Sequence, residues 1–188
     1  MERRKSAQTL AVKLAVRENR VVSKGGALHK PPLLFIKIKT NKMDAIYLKT
    51  IQNRAIKLLK IGNDPLRLSS QDNCSEMARI VGCWILQENP MTSALVLKGE
   101  NIMGIKKKCH DVLIVEKKNK FYLIDPTVWQ FFKNKKNILL AEKNTMKDCI
   151  EFAEKFYEGR WAISETINKN CFKNIKKWEE VIKLNTCL

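Results

Sequence analysis

Residues 72–87 constrain this chain most. Met77, Ile80, Val81, Trp84 and Ile85 recur at three- and four-residue steps and make an apolar stripe too wide for a surface helix. A helix of that kind must be covered on most of its sides. The residues that follow can supply the cover. Residues 93–97, 110–116 and 120–125 are short runs rich in Val, Ile, Leu and Tyr, and Lys117-Lys118-Asn119 between the last two is a hairpin signal. Helical patterns flank this block. Asn41 can cap a helix carrying Met43, Ile46, Tyr47, Ile51, Ala55 and Leu58, with Gly62 as its stop. Residues 66–71 read as a polar loop. Thr145 and Asp148 form a capping box ahead of Cys149, Phe152, Ala153 and Phe156, with Gly159 as a stop. Ser164 is expected to open a final helix through Ile167, Cys171, Ile175, Trp178 and Ile182. The order of helix, buried helix, strands and helices predicts an α+β fold with a small antiparallel sheet.

The 188 residues suit one domain with a tail. Residues 1–32 are expected to be a basic tail or linker, with Arg3, Arg4, Lys5, Lys13, Arg17, Arg20, Lys24 and Lys30 against Glu2 and Glu18. Residues 33–188 are the expected domain. No apolar run approaches the roughly 18 residues of a membrane span, so no transmembrane segment is expected. The formal charge of +17 invites an anionic partner. However, Lys outnumbers Arg by 28 to 8, and the lysines fall in short runs such as Lys106-Lys107-Lys108. Such runs usually form solvated turns, and nucleic-acid surfaces mix Arg with aromatics. Nucleic acid is therefore not the expected partner. Six cysteines without a Cys-x-x-Cys pair predict neither a metal centre nor a redox motif. Five of them are expected to be buried free thiols.

Cys74 is the exception. It stands where the buried helix begins, after Gln71-Asp72-Asn73, and first-turn amides and the helix dipole favour a thiolate there. A thiolate nucleophile wants an imidazole partner. There are two histidines, and His29 lies in the basic tail, so His110 is the candidate. Asp125, at the end of the next strand, is placed to orient that imidazole. If Lys117-Lys118 is the turn, His110 lies opposite Asp125. If Lys118-Asn119 is the turn, Asp125 faces Val112 instead. Both registers put His110 and Asp125 on one face, because strand side chains alternate; a three-residue loop would break that parity. Taken singly, each residue also has an ordinary structural reading, as a buried thiol, a strand-end histidine and a turn aspartate.

Cys74, residues 110–115 (His-Asp-Val-Leu-Ile-Val) and residues 122–127 (Tyr-Leu-Ile-Asp-Pro-Thr) together resemble the Cys-His-Asp core of the papain-like and transglutaminase-like superfamily. The short spacings, and Gln130-Phe131 after Asp-Pro-Thr, look most like the papain-fold glutamine deamidase domains of bacterial toxins and effectors. The resemblance covers residues 69–132, about a third of the chain. It implies a papain-like core in which a buried helix starting at the nucleophile packs on a small antiparallel sheet with flanking helices. It implies a thiol enzyme without a cofactor, in which Cys74 attacks the side-chain carboxamide of a protein glutamine, His110 moves the protons and Asp125 orients His110. Papain-type proteases place an oxyanion-donating Gln several residues before the Cys. Here the nearest is Gln71, only three residues before, so the Cys74 amide, helped by Gln71 or Asn73, takes that role. Trp129 and Gln130 are the expected cleft residues. The implied partners are a glutamine-bearing protein substrate and an immunity protein or host target. The implied setting is a secreted or delivered bacterial protein acting in the cytosol of a target cell. A transglutaminase or cysteine protease of the same fold is the alternative enzyme. A basic nucleic-acid- or membrane-binding module is the non-enzyme alternative.

Overall fold

A computed structural model describes residues 42–60 and 65–186, with side chains from Tyr47 onward in the first helix. The basic tail, its boundary at residue 33, His29, the Asn41 cap, the Gly62 stop and Cys187 lie outside the described residues. Helix α1 (Lys42–Leu59) buries Ile51, Ala55 and Leu59, a repeat of four that marks one helical face. The expected polar loop after it contains a single turn of helix, α2 (Leu66–Ser69). Helix α3 (Cys74–Glu88) buries every residue from Met77 to Leu86 except Arg79. That is the covered helix the wide stripe demands.

The cover is a five-stranded sheet of order β4-β3-β2-β1-β5, with β1 (Ser93–Glu100), β2 (Cys109–Lys117), β3 (Lys120–Asp125), β4 (Leu139–Lys143) and β5 (Arg160–Ile167). All neighbours are antiparallel. The fold is thus mixed α+β with a small antiparallel sheet and several helices. Helix α3 lies on β2 and β1 and is backed by α5 (Ile175–Thr186). Gly82 permits the close approach: a Cβ there would sit 3.0 Å from Leu113 Cδ1 and 3.2 Å from Ile167 Cγ1. Alternation along β2 turns Leu113 toward α3 and His110, Val112 and Ile114 to the opposite face. Helix α4 (Met146–Tyr157) packs over β3, β4 and β5 on that second face. It opens with the expected capping box: Asp148 N–H donates to Thr145 Oγ1 at 3.0 Å and Thr145 N–H to Asp148 Oδ2 at 3.1 Å.

The C-terminal segment differs from the sequence expectation. Ser164 does not open a helix but lies in the middle of β5, which pairs with β1, and the last helix starts at Ile175 after a tight turn over Lys169–Asn174. The spacing of Ile167, Cys171 and Ile175 looks helical, yet Ile167 belongs to the strand. Pairing with the open edge of β1 outweighs local periodicity there. In the β2–β3 hairpin, Lys117 pairs with Lys120. Lys118 (φ 52°) and Asn119 (φ 58°) are both left-handed, as a two-residue hairpin turn requires. Of the two registers the sequence allows, this is the one in which Asp125 faces Val112. No described helix is long and apolar enough to cross a membrane.

Candidate active site

Chain geometry around the nucleophile is set by the turn between α2 and α3. Asp72 takes a left-handed conformation (φ 58°), which Asp tolerates better than most residues. Asn73 is fully buried and wholly committed to holding this turn. Its Nδ2 donates to Ser69 O at 2.9 Å, and its Oδ1 accepts from Asn185 Nδ2 of α5 at 2.9 Å. Cys74 follows as the first residue of α3, half-buried, with the unsatisfied amides of the first turn around it. Next in the chain, Ser75 donates its hydroxyl to the Asp111 carboxylate. Ser75 adjoins Cys74 and Asp111 adjoins His110, so this bond staples the start of α3 to the start of β2.

His110 and Asp125 meet as the hairpin parity permits. His110 Nε2 lies 2.9 Å from Asp125 Oδ2, with both side chains fully buried. Thr127 holds the other carboxylate oxygen: its N–H donates to Oδ1 at 2.8 Å and its hydroxyl at 3.1 Å, a local Asx-type turn across Pro126. Tyr157, the last residue of α4, donates its phenol to Oδ2. The imidazole sits among aromatic rings, with centroid distances of 4.8 Å to Phe131, 5.2 Å to Tyr157 and 6.3 Å to Trp161. Trp161 reaches this position by lying across Gly99, where a Cβ would meet three indole atoms at 2.5–2.7 Å. Lys108 Nζ covers the outer side of Phe131 at 4.9 Å.

Burial alone would discourage charge on His110. The adjacent Asp125 carboxylate overrides it through charge and hydrogen bonding, Cys74 adds to the effect, and the imidazole is pushed up to about 10. The second ring nitrogen, Nδ1, is buried and without a hydrogen-bond partner. The Cys74 thiol therefore acts on the ring without forming a well-aligned bond to it. The arrangement is a thiol at a helix start, an imidazole beside it with one nitrogen open, and a carboxylate fixing the other nitrogen.

The remaining candidates divide. Gln71 lies exposed in the turn before α3. Asn73 is fully buried, and the bonds the structure gives its side chain, to Ser69 O and from Asn185, hold the turn. Trp129 is not a cleft residue: it is buried in the core and its indole donates to Lys135 O at 2.9 Å. Gln130, on the turn Val128–Gln130, has a buried Nε2 with no hydrogen-bond partner. That turn packs against α2, the element leading into Cys74, and the next residue, Phe131, touches His110. Gln130 thus keeps an unused donor on the turn that leads into Phe131. The five described cysteines are free, and only Cys83 and Cys149 are buried, fewer than expected. Burial pushes those two thiols up to about 12 and about 11. Cys109 is exposed and Cys171 half-buried. The described residues hold no cluster suited to a metal ion.

Sequence reasoning missed Tyr157, Ser75, Asp111 and Trp161 as parts of the site. Thr127 was signalled by Asp-Pro-Thr, since a Thr two residues after Asp is a local hydrogen-bonding motif. Ser75 and Asp111 had the signal of adjacency to Cys74 and His110. Tyr157 and Trp161 had none, because they arrive through the packing of α4 and β5. Comparison with protein-family models, with curated proteins and with solved structures finds no match.

Proposed function

We propose that this protein is a papain-like thiol enzyme that deamidates glutamine side chains of a protein substrate. The reading is carried by one observation: His110 is buried beside Cys74, with Nε2 tied to Asp125 and Nδ1 unpartnered. A helix that starts at the nucleophile and packs on an antiparallel sheet bearing the His and Asp supports the papain-like core. In the first half-reaction the Cys74 thiolate adds to the carboxamide carbon. The C–N bond breaks, the His110 imidazolium gives its proton to the departing ammonia, and a thioester remains. In the second, water gives a proton to His110 and attacks the thioester carbonyl. The C–S bond breaks, leaving glutamate and the free thiol. The Cys74 N–H and the unused Gln130 amide are the donors for the oxyanion of each tetrahedral intermediate.

A reactive thiol works in a reducing compartment, so the cytosol of a cell receiving a delivered toxin or effector is the proposed place of action. There the partners are the substrate protein and, for a toxin aimed at kin, an immunity protein over Cys74. The test is mass spectrometry of candidate target proteins incubated with wild-type and Cys74→Ala protein. Conversion of one glutamine to glutamate by the wild type alone is expected. Equal conversion by Cys74→Ala would sink the mechanism. Incorporation of a labelled amine would redirect the reading to a transglutaminase, and cleavage fragments would redirect it to a protease.

A further inference from the structure

We infer that Tyr157, which lies outside the segment carrying Cys74, His110 and Asp125, is a positioning residue that fixes the Asp125 carboxylate and limits its hold on His110. The inference rests on the proposed thiol chemistry and adds a regulator of its proton transfers. Tyr157 is fully buried at the end of α4, and its hydroxyl donates to Asp125 Oδ2, the same oxygen that faces His110 Nε2. Thr127 occupies Oδ1 twice. The carboxylate therefore accepts four hydrogen bonds, from the start of β2, the turn after β3 and the end of α4, and any rotation of it sacrifices some of them. Burial, and then the Asp125 carboxylate, hold the phenol well above its ordinary range, so Tyr157 keeps its proton and donates a hydrogen bond to the carboxylate. Its place is pinned by backbone geometry. Glu158 (φ 59°) and Gly159 (φ 81°) turn the chain sharply after Tyr157, and a Cβ on Gly159 would lie 2.4 Å from Glu100 O. The end of α4 is thereby set against the end of β1.

Two donors on one oxygen compete for its charge. The phenol draws density from Oδ2 and so restrains how tightly Asp125 holds a protonated His110. That restraint matters because the ring must give a proton to ammonia and later take one from water. An imidazolium held too tightly is slow to give its proton to the departing ammonia and stalls the first step. The other titratable or charged groups around the ring are Cys74, Lys108 over Phe131, Lys135 over Phe156, and Asp111 through Ser75. None of these donates to Asp125 in the structure.

The experiment uses the full chain and needs no substrate. Alkylation of Cys74 by iodoacetamide is followed by peptide mass spectrometry across about pH 4 to 9, with exposed Cys109 as the internal comparator. Wild type, Tyr157→Phe, Asp125→Asn and the double variant are measured, and thermal melts confirm folding. Phe keeps the ring packing and removes only the donor. His110 is already charged across the alkylation range, so the variants are compared by imidazole NMR of His110 up to about pH 12, where Tyr157→Phe is expected to raise the His110 titration by about one unit. In the Asp125→Asn background the same substitution produces no further shift, since the two residues act through one bond. An unmoved or lowered His110 titration in Tyr157→Phe, or an equal shift in both backgrounds, overturns the inference. If wild-type Cys74 reacts no faster than Cys109, the thiol-site reading itself falls and takes the inference with it, a failure visible before any Tyr157 variant is compared.

Discussion

Stability should depend on pH with a sign set by one buried pair. His110 has an ordinary value of 6.5 and is raised to about 10 in the folded protein, with burial opposing the shift and Asp125 driving it. Above about pH 6.5 the unfolded chain has released this proton while the folded chain still holds it. The folded state then binds more protons, and stability falls with rising pH by up to about 1.4 kcal/mol per pH unit from this group. The pair's contribution is complete below about pH 6.5 and is lost as pH passes through about 10. Integrated over that window it is on the order of 3–5 kcal/mol, a large fraction of the stability of a domain this size. Asp125→Asn reverses the slope. Without the carboxylate, burial dominates and His110 is held neutral, so stability is lost as pH falls through about 6.5. The assay is urea unfolding at closely spaced pH values for both proteins, because the difference between them cancels the lysines common to each. Imidazole NMR of His110 gives the folded titration directly. A wild-type curve flat between about pH 6.5 and 10, or parallel curves for the two proteins, would refute the reasoning.

Substitutions at three other positions probe the site's supports. Gly99→Ala places a methyl within 2.7 Å of the Trp161 indole and should cost about 1–3 kcal/mol by overpacking, with a change in tryptophan fluorescence; an unchanged melt would show that Trp161 is free to move off the strand. Gln130→Ala should lower kcat by about 10²-fold with little change in KM if its amide serves the oxyanion, and Gln130→Glu, which offers no amide hydrogen, should do the same. Ser75→Ala leaves the buried Asp111 carboxylate without its hydroxyl donor. It should cost about 1–3 kcal/mol in stability, and kcat should fall about tenfold as Cys74 loses its register against His110; a stability loss with full activity would reduce the staple to a purely structural bond.

Much of this molecule was legible in its sequence, because the relevant signals are local. The stripe from Met77 to Ile85 announces a covered helix, since 3.6-residue periodicity sorts side chains by face without reference to any partner. The parity of the β2–β3 turn put His110 and Asp125 on one face before their distance was known. Asp-Pro-Thr carried its own hydrogen-bonding geometry. Other features could be settled only by packing. The sequence allowed two registers for the hairpin, and the left-handed pair Lys118-Asn119 chose between them. The spacing of Ile167, Cys171 and Ile175 pointed to a helix, but the open edge of β1 drew residues 160–167 into a strand. Asn73 and Trp129 looked available and are spent on the turn and the core.

Tyr157 marks the boundary most clearly. It lies 32 residues beyond Asp125 on a helix whose pattern advertises only an apolar face. Its hydroxyl meets the carboxylate because α4 covers the second face of the sheet and the Gly159 turn sets where that helix ends. Periodicity along a chain can determine which face a residue occupies, and so, given a two-residue turn, it put the imidazole and the carboxylate on one face of the hairpin. Which atoms finally touch depends on how faces from distant segments are stacked, and that was decided by the tertiary structure alone.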